Sequence, residues 1–108
     1  MVEGIEITTT VNSQELANTL AKRLVNEGVA ACVQVMGPIS STFFWKGAVQ
    51  KEQEWLLLIK TRMDLYPEVS ECIKKHHPYE IPEIFSMPML HANPDYLRWI
   101  NEVASKKS

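Results

Sequence analysis

From Ile5 the chain alternates, with Ile5, Ile7 and Thr9 on one side and Glu6, Thr8 and Thr10 on the other. That is the period-two pattern of a half-buried strand over residues 5–10. Asn12, followed three residues later by Glu15, has the form of a capping box. Leu16, Leu20 and Leu24, with Ala17, Ala21 and Val25, then recur at helical spacing up to Gly28, a suitable stop. A long extended stretch follows. Val29, Ala31, Val33 and Val35 lie on one side, and beyond Gly37-Pro38 come Ile39, Ser41, Phe43 and Trp45. The Gly-Pro pair predicts a bulge or bend. Lys46-Gly47 reads as a hairpin turn and residues 49–61 as the return strand. Near its end that strand is apolar on both faces, through Trp55, Leu57 and Ile59 and through Leu56 and Leu58.

Asp64 predicts the cap of a second helix, whose first turn tolerates Pro67 and whose buried stripe is Leu65, Val69, Cys72 and Ile73. It ends at His76-His77, because Pro78 disfavours helical geometry in the residue before it. Residues 81–89 read as a fourth strand, short or at an edge, since Pro82 and Pro88 cannot donate to a ladder. Asn93-Pro94 opens a third helix, with Tyr96, Trp99, Ile100 and Val103 as its expected buried positions. Lys106 and Lys107 form an expected frayed tail.

The order is βαββαβ plus a terminal helix. Two crossover units around a hairpin define an α+β, ferredoxin-like antiparallel sheet with both main helices on one face. Residues 1–108 are expected to form one domain. The hairpin does not fit easily inside it. Its longer arm, residues 29–45, spans ~43 Å or more at the strand rise, against a radius of gyration of ~13 Å for a domain of this size. The arms therefore project beyond the sheet or bend around it, carrying Phe43, Phe44, Trp45 and Val49. With the helices on one face, the other face keeps apolar side chains that water covers poorly. Self-association follows, with neighbouring chains adding strands to one another.

Composition narrows the partners. The 108 residues are 45% hydrophobic and 22% charged, which excludes disorder and collagen-like repeats. A net charge of −2 argues against nucleic acid, which needs a positive field. The longest run of large apolar residues, from Trp55 to Ile59, is far short of a membrane span. Met1-Val2-Glu3-Gly4 shows no secretory signal, so a cytoplasmic chain with Cys32 and Cys72 as reduced thiols is expected.

The densest polar segment runs from His76 to Glu83, with two imidazoles, a phenol and two carboxylates. It suits a metal site or an acid–base pair made by His77 and Glu83. From spacing alone the two histidines suit a helix C-terminus better, where a charged imidazole complements the macrodipole. Zinc signatures, a nucleophile elbow and a phosphate-binding Gly-rich loop are missing; the four glycines stand at 4, 28, 37 and 47. Cys32 and the pair Met87 and Met89 are soft donors by type, but a small buried hydrophobe and core gap-filling are the expected roles. The expected role is non-enzymatic.

Several segments together resemble one family. Ala30-Ala31-Cys32, Trp45-Lys46-Gly47, Glu54 leading to Lys60-Thr61, His77-Pro78-Tyr79-Glu80-Ile81-Pro82-Glu83-Ile84 and Tyr96-Leu97-Arg98-Trp99-Ile100 are similar to the CutA family of divalent-cation tolerance proteins, in family order from Ile5 to Val103. The resemblance implies a cytoplasmic homotrimer of ferredoxin-like subunits linked to tolerance of copper and other divalent ions. It implies His76 and His77 as copper ligands, with Glu83 as a candidate helper. A third family ligand, a cysteine, does not carry over, because Thr9 stands in its place. The family is also similar in fold to trimeric nitrogen-regulatory signalling proteins. That implies a rival reading, a small effector held in clefts between subunits. Trp45, Lys60, His77, Tyr79, Glu83, Tyr96 and Trp99 are the residues expected near such clefts.

Overall fold

The computed structural model describes residues 1–105, so the lysine tail lies outside the described residues. Its sheet is organised on β1 (Gly4–Val11), which pairs with β3 (Ala48–Arg62) on one side and β4 (Ile84–Pro88) on the other. β2 (Cys32–Trp45) pairs with the outer side of β3, giving the order β2-β3-β1-β4, antiparallel throughout. The helices are α1 (Gln14–Asn26), α2 (Tyr66–His76) and α3 (Pro94–Val103). This is the α+β, ferredoxin-like βαββαβ arrangement with a long central hairpin and an added C-terminal helix.

The odd-numbered residues of β1 explain which face the helices cover. Ile5, Ile7 and Val11 pack with Leu57 and Ile59 of β3 against Ala17, Leu20 and Leu24 of α1 and Val69 and Ile73 of α2. Each large aliphatic side chain buried there contributes about 1.5–3 kcal/mol. Cys72, expected in this stripe, is half-buried at its edge. No helix among the described residues is long and apolar enough to cross a membrane.

Several local expectations are corrected. Val11 stays in β1 opposite Trp55, which delays the helix, so Ser13 and not Asn12 is the cap; its Oγ accepts the Leu16 N–H at 3.0 Å. Asp64 does not cap α2. Its carboxylate is held by Arg62 at 2.7 and 3.0 Å, and a short 3-10 turn, Met63–Leu65, leads into the helix. β4 is shorter than residues 81–89, covering Ile84–Pro88. α3 turns a different face inward. Ile100 and Ala104 are buried against Ala31 and Leu65, while Tyr96, Trp99 and Val103 are exposed. Asn101 fixes that rotation: its Nδ2 donates to the Val2 carbonyl and its Oδ1 accepts the Val2 N–H, each at 2.9 Å.

The hairpin projects as its length requires. β1 accompanies β3 only over residues 55–62, so among the described residues β2 is the sole strand partner of residues 48–54. The molecule measures 45 × 28 × 21 Å. At the tip Lys46 (φ 50°) and Gly47 (φ 81°) form the left-handed pair of a two-residue hairpin turn. Phe44 and Val49 beside it are 72% and 73% exposed. At the base of the projection Gly37 and Pro38 together face Trp55, the register shifting between Met36↔Leu56 and Ile39↔Glu54. That is the expected bulge. It puts Ile39, Ser41, Phe43 and Trp45 on the same face as Glu52, Glu54, Leu56 and Leu58, away from α1 and α2.

The Trp55 ring lies directly on Gly37, where a Cβ would stand 2.6 Å from the ring and 3.1 Å from the Glu54 carbonyl. Gly37→Ala is therefore expected to destabilise the fold by about 1–3 kcal/mol through overpacking. Urea denaturation at fixed protein concentration measures it as a lowered midpoint, and an unchanged midpoint would contradict this packing.

Candidate functional site

Where β1 ends at Val11, β3 continues into the projecting hairpin, and the chain from α2 to β4 passes the open end. Pro78 ends the helical geometry at His77, which caps α2 in an extended conformation (φ −91°, ψ 136°). The His77 ring is then fixed on both nitrogens. Nδ1 accepts the Tyr79 N–H at 3.1 Å, so Nε2 carries the proton and donates to the Thr10 carbonyl at 2.7 Å. The Tyr79 ring tilts against His77 with centroids 4.7 Å apart. Its hydroxyl donates to Glu54 Oε2 at 2.9 Å. Thr10, His77, Tyr79 and Glu54 thus tie β1, the loop and β3 into one polar chain.

Between this loop and the hairpin lies a cleft of about 620 Å³. Phe43, Trp45, Tyr79 and Ile81 form its apolar walls, and Thr10, Asn12, Ser41 and Thr42 supply hydroxyl and amide groups. Glu52, Glu54, Glu80 and Glu83 complete the lining. Glu54 is only 5% exposed. Burial and the Glu54 carboxylate push the Tyr79 phenol up to about 12. Burial, then repulsion from Glu54, also raises the exposed Glu83 above the usual carboxylate range.

The residues expected at a site fall into separate places. Trp45, Tyr79 and Glu83 line the cleft. His76 sits half-buried on the last turn of α2, with Nδ1 2.9 Å from the Cys72 carbonyl. His76, His77 and Glu83 do not converge: among the described residues no three His, Cys, Asp or Glu side chains form a group able to hold a metal ion. Thr9 is fully buried in the sheet, its Oγ1 without a hydrogen-bond partner among the described residues. Lys60, Tyr96 and Trp99 belong to a second cluster outside the cleft. Lys60 bonds Gln34 Oε1 and pairs with Glu6 at 3.5 Å, and Tyr96 stacks on Trp99 with centroids 5.9 Å apart. The Tyr96 hydroxyl is raised by burial first, then by its proximity to Cys32 and Glu6.

Sequence reasoning missed Glu52, Glu54 and Glu80 as lining residues and gave no role to Asn12, Ser41 or Thr42 there. The signal was available. A two-residue turn at Lys46-Gly47 pairs Trp45 with Ala48, and counting back pairs Phe43 with Gln50, Ser41 with Glu52 and Ile39 with Glu54.

Comparison with known proteins agrees with this architecture. Residues 5–103 match the model of the CutA1 divalent ion tolerance protein family. The divalent-cation tolerance protein CutA of Thermus thermophilus is 44% identical over 93 residues, covering 86% of this chain and 90% of that protein. The protein named CutA 1, chloroplastic, of Oryza sativa is 37% identical over 92% of this chain, which spans about half (56%) of that longer relative. The crystal structure of CutA1 from Oryza sativa superposes with a TM-score of 0.95 at 35% identity, over 98% of this chain and 97% of that one. The class is thus a ferredoxin-like domain with a projecting hairpin and a cleft at its base. The chain belongs to the CutA1 divalent ion tolerance family, and its role lies in tolerance of divalent metal ions.

The Tyr79–Glu54 bond is open to titration. Because the folded value of about 12 exceeds the ordinary value near 10, the protonated phenol supports the fold at neutral pH. That support is lost as pH rises from the ordinary value through the folded one. Glu54→Gln removes the charge and is expected to bring Tyr79 back toward the ordinary value. NMR titration of the Tyr79 ring carbons measures this; the part of the shift due to burial stays, and a value unmoved by the substitution would show that Glu54 contributes nothing.

Proposed function

We propose that this chain acts as a homotrimer in the response to divalent metal ions, with copper(II) as the principal cargo, in the cytoplasm and without catalysing a reaction. The metal role rests on family membership. The observation that supports assembly is the hairpin running past β1 with Phe44 and Val49 in water, beside the sheet face turned away from α1 and α2. That face also carries Met36, Phe85 and Met87, each about half exposed or more, and the sheet ends in two edge strands, β2 and β4. Apolar surface and unpaired edges of this kind are what strand addition between copies removes. The net negative charge supports a partner list without nucleic acid. Two cysteines without a disulfide support a reducing compartment.

The candidate ligands remain His76, His77 and Glu83, and they are not equal. His77 can take a metal ion only by giving up the Thr10 or Tyr79 bond, whereas His76 Nε2 makes no hydrogen bond among the described residues. One subunit does not supply a complete donor set among its described residues, so a fitting site needs groups from a neighbouring copy. Neutral imidazole is a good ligand for copper(II), and Thr9 offers it nothing. A second reading is supported by the cleft: its volume is that of a small-molecule site, which favours an effector bound by a signalling-type trimer.

Two measurements test the proposal. Sedimentation at micromolar concentration is expected to give about three times 12.3 kDa, and the mass of one chain would contradict it. Calorimetric titration of copper(II) is expected to lose at least about tenfold in affinity with His76→Ala, and less with His77→Ala. Equal affinity in wild type, both single variants and the double variant would end the assignment of these histidines.

A further inference from the structure

We propose that the cleft at the base of the hairpin binds a small organic cation, an aliphatic amine or guanidinium compound, as its ligand. This rests on the reading of the cleft as an effector site and names the class of molecule that fits it. Glu54 is only 5% exposed, yet its one hydrogen bond comes from a neutral phenol, and it forms no ion pair with any described residue. A carboxylate buried without a positive partner is costly, and a cation entering the cleft would remove that cost.

The rest of the lining points the same way. Glu52, Glu80 and Glu83 join Glu54, and none of the twelve lining residues is Lys, Arg or His. Such a field opposes phosphorylated or carboxylate ligands. A bare metal ion fits poorly as well. The carboxylates do not gather into a metal-holding group, and about 620 Å³ is a volume for a small molecule. Trp45, Phe43 and Tyr79 add flat apolar walls that suit an alkyl chain, and their faces attract ammonium and guanidinium groups. Lys46 already sits 5.8 Å from the centre of the Trp45 ring, so this indole does attract a cation. The same positive group could arrive on a Lys or Arg side chain of a second copy, which shares the chemistry but not the source.

The test uses three probes of matched length on the full chain: cadaverine, glutarate and pentanediol, by calorimetry and by shift of the melting temperature. Cadaverine alone is expected to bind, and Glu54→Gln is expected to weaken it at least about tenfold. Glu52→Gln, at the open side of the hairpin, is expected to weaken it less, and provides a second variant should Glu54→Gln fold poorly. Binding of glutarate or pentanediol without cadaverine would keep an effector cleft and overturn its cationic ligand. Binding of none would remove both. Magnesium chloride binding as tightly as cadaverine, with the same loss in Glu54→Gln, would make the cleft a metal site and overturn the organic cation. A fall in assembly mass with Glu54→Gln would assign the positive group to a neighbouring chain and also overturn the proposal.

Discussion

The molecule is governed by a mismatch of strand lengths. β2 and β3 run on as a two-stranded ladder after β1 has stopped at Val11 and with β4 already at its first residue, Ile84. A two-stranded ribbon is at best marginal alone in water. Everything of functional interest is a consequence of how this ribbon leaves the sheet. The bulge opposite Trp55 decides which side chains face the returning loop, and the loop closes the cleft against them. Without the bulge the ribbon would present Ser40 and Phe44 on that side, and Glu52 and Glu54 would face other partners.

Rigidity at the cleft comes from a short polar chain rather than from apolar packing. His77 is locked in one tautomer by a carbonyl on one side and an amide on the other, and it places Tyr79 on Glu54. The same bonds that make His77 a good structural element make it a costly metal ligand. His76, one residue earlier and still on the helix, is bonded among the described residues through Nδ1 alone. Adjacent imidazoles in sequence therefore have different chemistry, and the proline between them and Tyr79 is the reason.

Much of the fold was legible in the chain. Alternation gave β1, helical spacing gave α1 and α2, and Lys46-Gly47 and Gly37-Pro38 marked the turn and the bulge correctly. The failures have physical causes. Asn12 and Ser13 are both good caps, and what chose between them was the pairing of Val11 with Trp55, a contact distant in sequence. α3 is apolar on more than one side, and the Asn101–Val2 bonds rotate Tyr96 and Trp99 outward. Those two rings, stacked on each other at the surface, are apolar area that one subunit leaves unpaired. The carboxylates of the cleft were the least legible, because Glu52 and Glu54 look like solvated ribbon residues until the register is counted through the turn.

Amide hydrogen exchange across a dilution series addresses the ribbon most directly. If copies cover it, amides in residues 39–53 are protected at high concentration and lose that protection on dilution, while those of Ile7, Leu57 and Ile59 in the subunit core stay protected. Fast exchange in the ribbon at every concentration would mean that it stands alone in water, and the hairpin could not be an element shared between chains.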